Sequence, residues 1–236
     1  MKPLLIFGTG DLAQVASIYF TKDSDYTVVA FVVDRERRSE HQLLGYPVLA
    51  YDEALERCPP DTHEMFVAIS YSDLNRHRGQ VVERVRAAGY RLASYVSSEA
   101  CVWTEAIGDN VMITDHVSVH PFVRIGDGVV LWSGTVIGEG TTLGRHGYLG
   151  PAAIIGGHVT IGDYCVIGPN AYVASYRTVG SRNFIGATSR IFSDTPDDAL
   201  FLERETPKAR FSASQLPPML AKRLFQDIFR KPQDSE

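Results

Sequence analysis

The sequence predicts an α/β, Rossmann-like N-terminal domain, a parallel β-helix built from hexapeptide repeats, and a short C-terminal cap. Three observations support this prediction: a strand, glycine-rich turn and helix pattern at the N-terminus, a six-residue spacing of aliphatic side chains in the middle, and an amphipathic segment, LPPMLAKRLFQDIF, towards the C-terminus. The predicted boundaries are 1–95 for the first domain, 96–195 for the β-helix, and 196–236 for the cap and tail.

The composition is that of a soluble globular protein, with 236 residues, 44% of them hydrophobic and 22% charged. The net charge of -5 supplies no basic field, so we expect neither nucleic acid nor a membrane as a partner. The three cysteines have no metal-binding spacing, and the N-terminal apolar run is too short for a signal peptide. We therefore expect a cytoplasmic protein with reduced thiols.

The first domain begins with an apolar strand, Lys2–Gly8, that runs into the motif GTGDLA and then a helix to about Tyr19. A second strand, Thr27–Val33, ends at Asp34. Glycines in such a turn let backbone N–H groups approach a phosphate, and the acidic residue can accept a hydrogen bond from a ribose. A tight turn without a ligand is the alternative. The predicted substrate-binding residues are Gly8, Thr9, Gly10 and Asp34.

Three further elements complete this domain. We expect a short helix near Asp52–Arg57, a third strand over Glu64–Ser70, and an amphipathic helix over Leu74–Ala88. Alternation of strands and helices in this order predicts a small βαβ unit with a parallel sheet.

The middle of the chain has an aliphatic residue at every sixth position, fifteen times without interruption. A period of six is typical of a parallel β-helix, in which three hexapeptides close one triangular coil. We therefore expect five coils between about 106 and 195, with these side chains buried in stacked columns. The fifteen residues are Ile107, Ile113, Val119, Ile125, Leu131, Ile137, Leu143, Leu149, Ile155, Ile161, Ile167, Val173, Val179, Ile185 and Ile191.

Six segments together resemble one family over nearly the whole chain: FGTGDLAQVA, FVVDRE, GYPVLAYDEAL, FVAISYSDLNRHR, HPFVRIGDGVVLWSGTVIG and GGHVTIGDYCVIGPNAYV. They are similar to the sugar O-/N-acyltransferases of the NeuD and PglD type. The resemblance implies a left-handed β-helix, a homotrimer, acetyl-CoA bound between neighbouring subunits, and a sugar or nucleotide-linked sugar held by the N-terminal domain. It also implies a catalytic histidine in the middle coils.

The resemblance places this histidine at Glu139, and a second histidine, which contacts the cofactor, near Tyr148. Glu139 and His146 are therefore the candidate catalytic residues, and His158 is a weaker one. Small residues of the late coils would leave room for the thin CoA chain. The predicted cofactor-binding residues are Tyr148, Gly150, Gly157, Pro169 and Ala187.

No metal is expected, because the spacing of His116 and His120 places them on different parts of a coil. Three functions remain open. The first is an acyltransferase that uses Glu139, His146 or the acceptor's own amine. The second is a catalytically degenerate homologue that binds a ligand or assembles other proteins. The third is a transferase whose acceptor is not a nucleotide sugar.

Overall fold

The computed structural model describes residues 2–203. The amphipathic segment predicted as a C-terminal cap lies outside the described residues. Within them, no helix is both long and apolar enough to cross a bilayer.

The N-terminal part is a six-stranded sheet flanked by helices, with the strand order β3-β4-β2-β1-β5-β6. All its strand pairs are parallel except β3 with β4. Its elements are β1 (Lys2–Phe7), α1 (Asp11–Lys22), β2 (Tyr26–Val33), the 3₁₀ turn Arg35–Arg37, β3 (Gln42–Leu43), β4 (Tyr46–Ala50), α2 (Tyr51–Arg57), β5 (Glu64–Val67), the 3₁₀ segment Ser72–Asn75, α3 (Arg76–Ala87) and β6 (Arg91–Leu92).

Every element predicted for this part is present, but three boundaries were wrong. The first helix ends at Lys22 instead of about Tyr19. The third predicted strand ends at Val67 instead of Ser70, and the last helix begins at Arg76 instead of Leu74. The late start of the last helix is caused by a left-handed turn, since Asp73, Leu74 and Asn75 have φ of 50°, 46° and 63°. An α-helix requires negative φ, so it can begin only after this turn.

The rest of the described chain is a left-handed parallel β-helix of two-residue strands on three faces. Face 1 has the order β23-β21-β18-β15-β12-β9-β7, face 2 has β22-β19-β16-β13-β10-β8, and face 3 has β11-β14-β17-β20. The strands are β7 (Tyr95–Val96), β8 (Cys101–Val102), β9 (Met112–Ile113), β10 (Ser118–Val119), β11 (Arg124–Ile125), β12 (Val130–Leu131), β13 (Val136–Ile137), β14 (Thr142–Leu143), β15 (Tyr148–Leu149), β16 (Ile154–Ile155), β17 (Thr160–Ile161), β18 (Val166–Ile167), β19 (Tyr172–Val173), β20 (Thr178–Val179), β21 (Phe184–Ile185), β22 (Arg190–Ile191) and β23 (Leu200–Phe201).

The predicted aliphatic columns form the core of the prism. All fifteen side chains belong to one cluster or pack against it, and only Ile107, in the first coil, is partly buried. Stacked partners are eighteen residues apart, as in the pairing of Ile137 with Ile155. The predicted burial is therefore confirmed.

The prism is longer than the predicted five coils. At one end, β7 pairs with β9, which places Tyr95 opposite Met112. At the other end, β21 pairs with β23, which places Phe184 opposite Leu200. These spacings are 17 and 16 residues instead of 18. A search at six-residue steps stops where the spacing changes, which is why it missed both ends. Residues 200–201, assigned to the cap by the sequence, are a strand of face 1.

The three faces differ in what their outward side chains contact. On face 1, Met112 and Val130 are buried in one cluster with residues of β1, α1 and β2. On face 3, the outward residues are Arg124 and three threonines. The N-terminal part therefore covers the early strands of face 1. Burying each such apolar side chain stabilises this arrangement by about 1.5–3 kcal/mol.

The turns between the faces form three corners. Corner A joins face 1 to face 2, corner B joins face 2 to face 3, and corner C joins face 3 back to face 1. Corner A consists of 114–117, 132–135, 150–153, 168–171 and 186–189, corner B of 120–123, 138–141, 156–159 and 174–177, and corner C of 108–111, 126–129, 144–147, 162–165 and 180–183.

Candidate active site

A cavity of about 450 Å³ lies at the carboxyl ends of β1, β2 and β5. This is the edge of a parallel sheet where ligands bind, beside the strand at which the chain reverses its direction of winding. The four predicted substrate-binding residues, Gly8, Thr9, Gly10 and Asp34, all line it. The other lining residues are Phe7, Val33, Arg37, Ala68, Ile69, Ser70, Ser72 and His77.

The two glycines of the motif are glycine for different reasons. Gly8 has φ of +122°, and a Cβ there would lie 2.6 Å from the carbonyl oxygen of Ala68, so the fold itself requires glycine. Gly10 has φ of -72°, and a Cβ there would meet nothing within 4 Å. The fold leaves room for a side chain at Gly10, and its absence keeps the N-terminus of α1 open to the cavity.

Asp34 is held at the rim of this cavity by an ion pair. Its Oδ1 accepts a hydrogen bond from Arg84 Nη2 at 2.7 Å. The Arg84 guanidinium in turn lies 4.7 Å from the ring centre of Tyr51 and 5.2 Å from that of Phe7. This fixes the carboxylate where it can accept a hydrogen bond from a hydroxyl group, while Arg37 brings a positive charge to the same cavity.

His146 is enclosed at corner C beneath α3, with 1% of its surface exposed. Its ring stacks on Tyr164 with a centroid distance of 5.1 Å. Gly79 of α3 lies against both rings, since a Cβ there would be 3.2 Å from His146 and 2.9 Å from Tyr164. One coil below, a Cβ at Gly128 would overlap His146 Nδ1.

A fully buried arginine adds to this enclosure. Arg78 donates hydrogen bonds to the carbonyl oxygens of Ile69, His146 and Gly147 at 2.9, 3.0 and 3.2 Å. Burial lowers the pKa of Arg78 to about 10. Burial, followed by the charges of Arg78 and Arg145, lowers the pKa of His146 to about 4.

These contacts correct the candidate role of His146 as a base. The sequence made His146 a candidate catalytic residue, whereas the structure places its ring under a helix of the same chain and disfavours its protonated form. A side chain without access to a substrate cannot take its proton.

Glu139 lies at corner B with 56% of its side chain exposed. Its Oε2 is 3.7 Å from Nδ1 of His120, whose side chain is 44% exposed. Gly157, one coil further on, makes room for this arrangement, because a Cβ there would lie 2.5 Å from Glu139 Oε1. The structure thus brings Glu139 together with predicted cofactor residue Gly157.

Sequence reasoning missed His120, which it considered only as half of a zinc pair. A signal was present, since His120 and Glu139 are 19 residues apart, one more than the 18 residues of a coil. Among the described residues, no group of three histidine, cysteine, aspartate or glutamate side chains could hold a metal.

The predicted cofactor residues do not form one surface. Gly150, Pro169 and Ala187 stack at corner A, where a Cβ at Gly150 would lie 2.8 Å from Pro169 N. Gly157 belongs to corner B. Tyr148 lies on face 1, with its ring centre 4.9 Å from that of Tyr71 and 6.3 Å from that of Trp132. One chain therefore assembles three of the five residues.

Two family models match the chain. The model for the PglD N-terminal domain matches residues 3–85, and the model for the bacterial transferase hexapeptide matches residues 106–139 and 140–175. No curated protein sequence matches the chain significantly.

Solved structures of three bacterial proteins share the fold. PerB from Caulobacter crescentus, in complex with CoA and GDP-perosamine, is 27% identical, with a TM-score of 0.73 over 85% of this chain and 93% of that one. The acetyltransferase domain of PglB from Neisseria gonorrhoeae, in complex with acetyl coenzyme A, is 23% identical, with a TM-score of 0.73 over 84% and 95%. WeeI from Acinetobacter baumannii is 17% identical, with a TM-score of 0.60 over 85% and 96%.

Proposed function

Because the chain belongs to the NeuD/PglD-like family of hexapeptide-repeat sugar acyltransferases, we propose that it transfers an acyl group from coenzyme A to a nucleotide-linked sugar. Acetyl-CoA is the proposed donor, and an amino or hydroxyl group of the sugar is the acceptor. The observation that carries the proposal is the cavity lined by Gly8, Thr9, Gly10 and Asp34 at the switch point of the N-terminal sheet.

The nucleotide end of the acceptor is proposed to occupy this cavity. The open N-terminus of α1 at Gly10 suits a phosphate, and Asp34 suits a ribose hydroxyl. Arg37 would offset the charge of a diphosphate. The similar PerB binds GDP-perosamine, which has these same parts.

The donor is proposed to lie along corners whose outer positions lack side chains. Corner A offers Gly150, Gly168 and Gly186 in one stack, and corner B offers Gly138 and Gly156 in another. A pantetheine arm is thin enough to pack on such a column. Pro169, Ala187 and Gly157 extend these two surfaces, and Tyr148 beside Trp132 remains a proposed contact.

A homotrimer is proposed because one chain holds the parts of this site on opposite sides of its prism. The cavity belongs to the domain that covers face 1, whereas Glu139 lies at corner B, between the other two faces. A sugar bound in the cavity of one subunit would meet corner B only if a neighbouring subunit supplied it.

The reaction itself requires little chemistry from the protein. The acceptor must lie close to the thioester, the developing oxyanion needs a donor, and one proton must leave. An amine loses this proton after its attack, so a weak base suffices, whereas a hydroxyl group needs a base earlier. Glu139 is the proposed acid–base residue of corner B. It either accepts the proton itself or assists a neighbouring side chain that accepts it.

A second function is favoured by one observation. The resemblance implies a histidine at the position of Glu139, so the chain could have kept the fold and a ligand cavity without catalysis. The two functions differ in a simple assay, because only the enzyme releases free CoA.

The test measures free CoA with a thiol reagent, using acetyl-CoA and GDP-, UDP- and dTDP-linked 4-amino sugars. We expect turnover with at least one acceptor, and a Gly10→Val variant should lose it. The substitution keeps the fold, since φ is -72° and the space is open, but fills the site proposed for the phosphate.

Unchanged thermal unfolding and acetyl-CoA binding are the controls for Gly10→Val. Full activity of this variant would refute the cavity as the nucleotide site. Binding of a nucleotide sugar by the wild type without CoA release under any condition would favour the ligand-binding function. We expect the protein to act in the cytoplasm, where Cys58, Cys101 and Cys165 would stay free thiols, as they are in the structure.

A further inference from the structure

We propose that His120 accepts the proton of the acceptor during acyl transfer and that Glu139 positions its ring. This inference rests on the proposed function and assigns the roles of two side chains at corner B. Sequence patterns alone gave His120 no role, and its contact with Glu139 is a property of the folded prism.

The first support is the way the carboxylate faces the ring. Glu139 Oε2 lies 3.7 Å from Nδ1 of His120, the only histidine–carboxylate contact within 4.0 Å among residues 2–203. A carboxylate on Nδ1 favours the tautomer with its proton there, which leaves Nε2 ready to accept another. The distance is longer than a hydrogen bond, as is common before a substrate tightens a catalytic site.

The second support is the space beside the ring. The positions stacked on His120 in the next three coils are Gly138, Gly156 and Ala174, as the ladder of backbone hydrogen bonds shows. The column directly above His120 therefore carries no long side chain that could cover its ring. Gly157 lies beside this column, and the Glu139 carboxylate occupies the space that a side chain at Gly157 would fill.

The other prism histidines lack this combination. The ring of His146 is enclosed beneath α3. The ring of His158 stacks on Tyr176 at a centroid distance of 5.1 Å, and no carboxylate lies within 4.0 Å of it in the described part of the chain. His116 is at corner A, away from Glu139. Among the prism histidines of residues 2–203, only His120 combines a partly exposed ring, a facing carboxylate and a neighbouring column of small residues.

The step balances without any further reactant. The acceptor's nitrogen or oxygen attacks the thioester carbonyl carbon of acyl-CoA, and its proton passes to Nε2 of His120. The imidazolium that forms is stabilised by Glu139 at Nδ1. When the tetrahedral intermediate collapses, the carbon–sulfur bond breaks, and the thiolate of CoA takes the proton from Nε2. One amide or ester and one CoA thiol are formed, and His120 is neutral again.

The experiment compares His120→Ala, His120→Gln and Glu139→Gln with the wild type, in the full-length protein. His116→Asn is the matched control, because it removes an exposed histidine from the same coil at a different corner. Free CoA is measured with acetyl-CoA and the panel of GDP-, UDP- and dTDP-linked 4-amino sugars. Thermal unfolding and oligomeric state are measured for each variant.

We expect both His120 variants to lose about 10²–10⁴-fold in kcat, with KM for acetyl-CoA changed by less than about threefold. Added imidazole should restore part of the activity of His120→Ala. Glu139→Gln should lose about 10–100-fold in kcat, because His120 is still present but no carboxylate orients its ring. His116→Asn should stay within about twofold of the wild type.

Three results would overturn the inference. If His120→Gln kept its kcat, no proton would be accepted at His120, although the proposed function would stand. If imidazole failed to restore His120→Ala while its folding and KM were unchanged, the ring would have a merely structural role. If the wild type released no CoA with any acceptor, the proposed function and this inference would fail together.

Discussion

Two histidines occupy equivalent positions of the repeat, one at the covered corner C and one at the open corner B. His146 lies between Gly128 and Tyr164, and His158 lies between Gly140 and Tyr176, in each case one coil below and one above. Both rings stack on their tyrosine at a centroid distance of 5.1 Å. The repeat builds the same stack twice, yet α3 covers only one of them.

The difference shows that the hexapeptide pattern and the chemistry of a corner are separate properties. The pattern sets backbone geometry, since His146 and His158 both have φ of 57°. The N-terminal part then decides which corner meets solvent, through Gly79 and Arg78 on α3. A histidine motif alone therefore says little about whether the ring can reach a substrate.

Near neutral pH, the largest difference is expected between alanine substitutions at the two lower positions of these stacks, Gly128 and Gly140. Gly128 and Gly140 have φ of +67° and +64°, so alanine costs about 1–2 kcal/mol of unfolding free energy at either position. At Gly128 the new Cβ also overlaps the enclosed His146 ring, and we expect a further loss of about 1–3 kcal/mol. Urea unfolding of Gly128→Ala and Gly140→Ala measures the difference.

Gly134→Ala is the control for backbone strain alone. It has φ of +75°, and the nearest atom to its Cβ would be 3.8 Å away. The exposed His158 ring can move aside at Gly140, so Gly140→Ala should resemble Gly134→Ala. Equal losses at Gly128 and Gly140 would mean that α3 does not confine the ring of His146.

A pH-dependent difference, which appears only on acidification, is expected from the enclosed ring. The pKa of His146 is lowered to about 4, mainly by burial, whereas it would be about 6.5 in the unfolded chain. As the pH falls through this window, the unfolded state takes up the proton first, so folding stability is lost on acidification. This loss of unfolding free energy is absent above pH 6.5 and reaches about 3 kcal/mol near pH 4.

The measurement is the unfolding free energy at several pH values for the wild type, His146→Asn and His158→Asn. Asparagine tolerates the left-handed backbone of both positions. His146→Asn should flatten the slope between pH 6.5 and 4, and His158→Asn should keep it. The same slope in all three proteins would contradict the burial of His146 as its source.

The fold could be predicted from the sequence to the extent that it repeats. Ile137 and Ile155 recur at an unbroken spacing and pack as predicted. The end coils at Tyr95 and Leu200 were missed, because there the spacing differs from eighteen.

The candidate site was only partly predictable. A short local motif, such as the turn at Gly8, places neighbouring residues around one cavity by chain connectivity alone. His120 and Glu139 meet across two coils, which a linear search for motifs does not examine. The burial of His146 depends on a contact with Gly79, 67 residues earlier in the chain, and no pattern around either residue announces it.

The smallest expected effect concerns an ion pair at the edge of the covered corner. Arg86 of α3 donates to Asp127 of corner C at 2.8 Å and to Asp109 at 3.3 Å, with 35% of its side chain exposed. Partly exposed pairs contribute about 0–1 kcal/mol and weaken with salt. Arg86→Gln should therefore lower the unfolding free energy by less than about 1 kcal/mol at low salt, and by less still at 0.5 M salt.

The control for losing a surface charge is Arg145→Gln, which breaks a pair with Asp163 between two neighbouring coils of the prism. If α3 is held on corner C by the buried contacts of Arg78 and Gly79, Arg86→Gln will leave the acid-induced loss of stability attributed to His146 in place. A loss well above 2 kcal/mol in Arg86→Gln that persists at high salt would instead make this ion pair the main attachment of the helix. Surface charge would then hold α3 on corner C, and the difference between the two histidine stacks would depend on ionic strength.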